Sequence, residues 1–198
     1  MSFKRERQGV YRLKVPFEDL YTSVFLIKTK KGNALIDCAR ADSDVDEYIV
    51  PALNELGLDL DDIKYLVLTH LHGDHAGGKS RILSLSPNIQ VIQSSMILEI
   101  DDIILLEMKG HTLDSIAVFY KRSSTLISGD SLQGLGVGKY RCSLEDKSEY
   151  LKTIEKVKKD KKIKNILFSH AYEPWNTDSV FGRRNVEKVL TDCINCVK

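Results

Sequence analysis

Residues 69–78 read Thr-His-Leu-His-Gly-Asp-His-Ala-Gly-Gly and directly continue the run Ile63-Lys-Tyr-Leu-Val-Leu. That run has the near-continuous apolar character of a strand buried on both faces. Four imidazole or carboxylate side chains, His70, His72, Asp74 and His75, therefore fall within six residues at the end of a buried strand. With 5 His and 28 acidic residues in 198, a His-x-His-x-acid-His pattern arises by accident somewhere in such a chain with a probability of order one in a thousand. Imidazole and carboxylate together suit borderline divalent metals such as zinc, manganese or iron. His70 and His72, two apart in an extended segment, point the same way and can share one ion. Beyond the turn at Gly73, Asp74 and His75 can face a second. Gly77 and Gly78 are expected to let the backbone pass close to the metals before a helix starts.

The other histidines fall into the same scheme. His111 lies in Gly110-His-Thr112 after a strand expected at 103–107. His170 lies in Ser169-His170 after a strand expected at 164–169, and Asp130 in Gly129-Asp130 after one at 125–128. Strand ends are where a scaffold presents a site, and no histidine is left for another purpose.

Further strands are expected at 10–15, 23–28, 33–37, 88–93 and 115–121, with a hairpin turn at 30–33. Ser43 or Asp44 opens a helix with Val45, Ile49, Ala52, Leu53 and Leu56 on one face; Pro51 should bend it and Gly57 close it. A helix is expected at 77–85. Ser143 is the expected cap of another, carrying Tyr150, Leu151, Ile154 and Val157. A last helix should run from about Thr177 with Val186, Val189, Leu190, Cys193 and Ile194 as its buried stripe. No internal sequence repeat is visible. This order suits two packed sheets with helices outside better than regular βαβ winding.

The length of 198 residues fits one domain, 1–198. Hydrophobic and charged fractions of 42% and 29% are those of a soluble globular chain. A net charge of +1 gives no electrostatic footprint for nucleic acid or an acidic membrane, and Lys156 to Lys164 reads as a solvated face. Met1 to Gly9 lacks the apolar stretch of a signal peptide. Four scattered cysteines suit a reduced cytoplasm, with Cys193-Ile-Asn-Cys196 read as helix packing. The expectation is a cytoplasmic monomer or homodimer acting on a small molecule, without membrane or nucleic-acid partners.

In the order His-x-His-x-Asp-His at 70–75, Gly-His-Thr at 110–112, Gly-Asp at 129–130 and Ser-His at 169–170, the chain resembles the metallo-β-lactamase-fold hydrolases. That resemblance implies an α/β four-layer αββα sandwich with two divalent ions at one edge, zinc first and manganese or iron as alternatives. It implies that His70, His72 and His111 hold one metal, that Asp74, His75 and His170 hold the other, and that Asp130 bridges them. Asp37 resembles a position that supports the site from behind. The implied reaction is attack by a metal-bridging hydroxide on a carbonyl or phosphorus centre, with Asp74 both ligand and catalytic acceptor.

The segment Gly129 to Arg141 resembles a loop of glyoxalase II-type thioesterases, which makes Lys139, with Tyr140 and Arg141, the substrate-binding candidates for an anionic substrate. About 28 residues follow His170, too few for the helical domain that helps glyoxalase II bind glutathione, and the stretch between His75 and His111 is short. A small ester, thioester or lactone is therefore the expected substrate. The alternatives are an RNA-processing or phosphodiester nuclease of the same fold and a mononuclear iron sulfur dioxygenase. Diiron oxygen reductases typically carry a glutamate where this chain has His72. Trp175 is a candidate either for the pocket wall or for a packing anchor.

Overall fold

The computed structural model describes residues 1–93, 99–134, 136, 143–172 and 177–198. The chain divides into two compact units, Met1–Gln93 and Ser94–Lys198.

In the first unit, β1 (Lys4–Arg7), β2 (Val10–Phe17), β3 (Leu20–Ile27) and β4 (Asn33–Ile36) pair in sequence as antiparallel neighbours. β5 (Ile63–Leu68) and β6 (Gln90–Gln93) then add in parallel. Leu13, Val15, Val24, Leu26, Leu35, Leu66 and Leu68 form one core with Val45, Ile49, Ala52, Leu53 and Ile82. The residues that alternate with them, such as Phe25, Ile27, Ile36 and Val67, are buried as well. Burial of both faces is why these strands read as unbroken apolar runs rather than alternating ones. The sequence reading passed over β1, because Lys-Arg-Glu-Arg carries no apolar signal; charge suits an edge strand, where it blocks further pairing.

Between β4 and β5 lies a helical segment of three parts: α1 (Asp42–Asp44), a π-helical turn (Val45–Ile49) and α2 (Val50–Glu55). Pro51 sits in the first turn of α2. Proline has no N–H to donate and its ring crowds the preceding turn, so the ladder widens just upstream, where Val50 N–H bonds to the Val45 carbonyl five residues back. A π-helical turn is one of the places where helices bend. The helix expected at 77–85 is α4 (Lys79–Leu85), and a separate single turn, α3 (Gly73–Ala76), precedes it.

The second unit repeats the plan. β7 (Glu99–Ile100), β8 (Ile103–Glu107), β9 (Ile116–Tyr120) and β10 (Thr125–Ile127) form an antiparallel run. α5 (Lys147–Lys159) leads to β11 (Asn165–Leu167), parallel to β10. β12 (Ser179–Phe181) then pairs antiparallel with β11, and α6 (Arg183–Val197) ends the chain. Phe119, Leu126, Ile166 and Phe168 pack against Tyr150, Ile154 and Val157 of α5 and Val186, Val189, Leu190, Cys193 and Ile194 of α6.

Two expectations need correction here. Asp146, not Ser143, caps α5, its carboxylate accepting from Glu149 N–H at 2.9 Å. The last helix begins at Arg183 rather than near Thr177, because Ser179–Phe181 is drawn into the sheet by the otherwise open edge of β11. The α/β class with two mixed sheets is as expected. No helix among the described residues is long and apolar enough to cross a membrane.

Candidate metal centre

β5 ends at Leu68, the chain bends at Thr69, and His72, itself extended, leads into α3. His70 is buried and His72 exposed, with their rings 4.6 Å apart, centroid to centroid. Asp74 and His75 lie on the single turn of α3, which is closed by hydrogen bonds from Ala76 N–H to His72 O at 3.0 Å and from Gly77 N–H to Gly73 O at 2.9 Å. The His75 ring is 4.1 Å from that of His70, and His75 Nε2 lies 3.5 Å from Asp74 Oδ2. All four donors of the motif therefore gather within the first unit.

Behind them sits Asp37, immediately after β4 and wholly buried. Its Oδ1 accepts Thr69 N–H at 2.7 Å; its Oδ2 accepts the Thr69 hydroxyl at 2.9 Å and meets His75 Nδ1 at 2.8 Å. A carboxylate only accepts, so His75 Nδ1 carries a proton and Nε2 is left with its lone pair. Thr69 spends its one hydroxyl proton on Asp37, so it can only accept from His70 Nδ1, 3.1 Å away. His70 Nε2 is thereby set as a lone pair too. One buried carboxylate fixes the tautomers of two imidazoles, the device by which metal-ligating histidines are commonly oriented. The resemblance gave Asp37 a place behind the site, and its hydrogen bonds to Thr69 and His75 are of that kind.

Gly77 and Gly78 allow a close approach of backbone to backbone. A Cβ at Gly77 would lie 1.7 Å from Arg40 O, and one at Gly78 2.3 Å from Cys38 O. Their bareness lets α3 dock on the backbone of residues 38–40, through Cys38 N–H to His75 O at 2.8 Å and Gly77 N–H to Ala39 O at 3.0 Å. Burial pushes the Cys38 thiol well above its usual range, and the Asp37 charge adds to this, so Cys38 is a packed thiol and not a thiolate ligand.

In the second unit, His111 sits in a turn pinned by Met108 N–H to Ser115 O at 2.9 Å and by the 2.6 Å contact of the Thr112 and Ser115 hydroxyls. Its Nδ1 lies 2.7 Å from the Ser143 carbonyl. A carbonyl only accepts, so Nε2 again carries the lone pair. Ser143, expected as a helix cap, serves instead as this acceptor. Asp130 lies on a short 3-10 turn (Gly129–Ser131) held by Ser128 N–H to Leu167 O at 3.1 Å and Ser131 Oγ to Met108 O at 3.0 Å. Its carboxylate faces two imidazoles: Oδ1 is 3.3 Å from His170 Nε2, and Oδ2 is 3.9 Å from His111 Nε2. His111, Asp130 and His170 thus converge within the second unit.

Three of the five imidazoles have Nδ1 engaged by an oxygen and Nε2 directed among carboxylates or other imidazoles. This nitrogen- and oxygen-rich donor set fits zinc, manganese or iron rather than a soft-metal thiolate site. Sequence reasoning missed Thr69 as a relay and the Ser143 carbonyl, since a backbone acceptor leaves no trace in residue type. Lys139, Tyr140, Arg141 and Trp175 lie outside the described residues.

Comparison with known proteins agrees with this picture. The sequence model of the metallo-β-lactamase superfamily matches residues 18–95. The chain is 26% identical over 164 residues to the beta-lactamase-like protein 2 homolog of Caenorhabditis elegans, covering 72% of this chain and 54% of that protein. It is 22% identical over 149 residues to an atrochrysone carboxyl ACP thioesterase of Pseudocercospora fijiensis, covering 68% and 43%. The chain thus spans about half the length of these curated relatives. Among solved structures, the metallo-β-lactamase FIM-1 from Pseudomonas aeruginosa in its mono-zinc form aligns over 99% of this chain and 96% of its own, with a TM-score of 0.74 at 16% identity. The metallo-β-lactamase from Pontibacter korlensis aligns over 99% and 98%, with a TM-score of 0.73 at 17% identity. At these identities the likeness is one of fold. Residues 18–95 thus match the metallo-β-lactamase superfamily in sequence, and the chain is like solved metallo-β-lactamases in fold.

Proposed function

We propose that this chain is a hydrolase that holds two divalent metal ions, zinc first, and cleaves a small ester or thioester. In this reading His70, His72 and His111 hold one ion, Asp74, His75 and His170 the other, and Asp130 serves both. The observation that carries it is the Asp37 hydrogen-bond set, which readies His70 and His75 as Nε2 donors. Such a pair of cations, when bound, makes water acidic enough to ionise near neutral pH and polarises the bond under attack.

The chain's own residues supply the rest. In this reading Asp74, partly exposed on α3, would accept a proton from the attacking water. Asp37 and Thr69 hold the imidazoles of the first unit in register, and the Ser143 carbonyl does the same for His111. Leu71 and Leu113, 52% and 56% exposed beside His70 and His111, offer apolar contact to an acyl chain. Ester or thioester cleavage is supported by the relatives named as thioesterases and by the glyoxalase II-like segment 129–141, where Lys139, Tyr140 and Arg141 would meet an anionic substrate.

The test is metal analysis of the purified protein with a hydrolysis screen over thioesters, esters, lactones, phosphodiesters and β-lactams. The expected result is bound transition metal and thioester or ester turnover that a chelator abolishes and zinc restores. Absence of metal, with no activity restored by zinc, manganese or iron, would refute the reading.

A further inference from the structure

The segment that carries Asp37 ends in a residue that the hydrolytic chemistry does not use. Residues 37–41 are held at nearly every step. Asp37 N–H bonds Val67 O at 2.8 Å, Cys38 N–H bonds His75 O at 2.8 Å, and Ala39 O accepts Gly77 N–H at 3.0 Å. The N–H groups of Arg40 and Ala41 both donate to Asp44 Oδ2, at 3.0 and 3.1 Å. Asp37 and Ala39 both sit in left-handed backbone, each at φ 61°. Non-glycine residues occupy that region at a cost of order 1 kcal/mol or more, and such strain gathers at functional sites. The result is a rigid pedestal packed on the α3 turn that carries Asp74 and His75.

From this pedestal Arg40 alone projects an exposed cationic side chain. Its guanidinium lies over the ring of Phe17, 5.5 Å from the centroid, near the tip of the β2–β3 hairpin. No carboxylate among the described residues lies within ion-pair distance of it. Asp44, the nearest acid in sequence that it touches, is occupied with backbone N–H groups. An arginine stacked on an aromatic ring loses little freedom when it binds, and its fork matches a carboxylate.

We infer that Arg40, backed by Phe17, is an anion-binding residue that selects substrates bearing a carboxylate on the acyl part. This rests on the hydrolase reading for its consequence in turnover but not for its binding chemistry. A carboxylate is favoured over a phosphate because Arg40 presents one planar fork, which meets both oxygens of a carboxylate and leaves further phosphate oxygens unmet.

The test compares succinate with the uncharged amide butyramide, titrated by calorimetry into both the metal-loaded and the chelator-treated protein, with inorganic phosphate as a third probe. Succinate should bind both forms, R40A should weaken it about tenfold or more, and R40K should weaken it less, since lysine keeps the charge but not the fork. Butyramide and phosphate should be indifferent to both substitutions. In turnover, R40A should raise KM about tenfold for a succinyl thioester, with kcat within about threefold, and leave a butanoyl thioester unchanged. Wild-type succinate affinity in R40A, equal losses for butyramide, or no succinate binding by the wild type would overturn the assignment; tighter, Arg40-dependent phosphate binding would overturn the choice of carboxylate. If Arg40-dependent succinate binding holds while no ester or thioester is cleaved, the anion site stands and the hydrolase reading falls.

Discussion

The two units place a carboxylate at nearly the same point of the same topology and put it to opposite uses. Each unit runs four antiparallel strands, a crossover containing a helix, and a fifth strand parallel to the fourth. In each, the first residue after the fourth strand donates its N–H to a carbonyl of the fifth: Asp37 to Val67 O at 2.8 Å, Ser128 to Leu167 O at 3.1 Å. In the first unit that residue is itself the acid, so its side chain is fully buried and holds Thr69 and His75 from behind. In the second it is a serine, and the acid follows two residues later at Asp130, which is 9% exposed and faces the Nε2 atoms of His170 and His111. A shift of two residues separates an organiser from a donor.

Removing each acid should expose this difference most strongly. Asp37→Ala leaves an N–H, a hydroxyl and an imidazole without their acceptor in a dry environment, so a loss of about 3 kcal/mol or more is expected from denaturant melts of metal-free protein. Asp130→Ala removes a carboxylate that faces the Nε2 atoms of two imidazoles and is not wholly buried, so the same melts should change by less than about 1 kcal/mol while zinc affinity collapses. Equal destabilisation by the two would erase the distinction. Gly77→Ala comes next, with an expected loss of about 3 kcal/mol, because its Cβ would strike the Arg40 carbonyl and the backbone there is pinned. Thr69→Val should be milder for the fold, at about 1 kcal/mol, but should lower zinc affinity about tenfold by freeing the His70 tautomer. A competition titration with a chromophoric chelator reads that change.

Much of the first unit's site was legible because its donors are consecutive: His70, His72, Asp74 and His75 follow a strand whose apolar run is unmistakable. The second unit's donors lie on three separate turns; strand-end placement singled out His111, Asp130 and His170, but only resemblance to a known family divided them between ions. What escaped the sequence was mostly backbone chemistry. The Ser143 carbonyl, the docking of α3 on residues 38–40 and the strained pedestal under Arg40 depend on main-chain geometry rather than residue type. β1 and β12 escaped for a related reason: both are recruited by an open sheet edge, which no local propensity records.

Two smaller predictions concern the second unit alone. Arg183 donates to the Lys158, Asp160 and Ile163 carbonyls at 2.7, 2.8 and 3.1 Å, tying the end of α5 to the start of α6. Arg183→Ala should cost about 2 kcal/mol by denaturant melts, while zinc binding by His70 and His75 stays unchanged. The hydrogen bond from Lys161, and then that from Arg183, holds Glu187 below its usual carboxylate range. A carboxyl group whose folded pKa is depressed contributes stability above its unfolded pKa and loses it as pH falls through the folded one. Melting temperatures of the wild type should therefore fall slightly more than those of Glu187→Gln as the pH drops below about 4.5; parallel curves would reject the coupling.

The most direct measurement is a calorimetric titration of zinc into chelator-stripped protein, run beside Asp37→Asn and Asp130→Ala. The wild type is expected to take up about two equivalents, and each variant to lose affinity at one or both. Uptake of no zinc by the wild type, or undiminished uptake by both variants, would contradict the proposal that Asp37 orients metal-binding imidazoles and that Asp130 is itself a ligand.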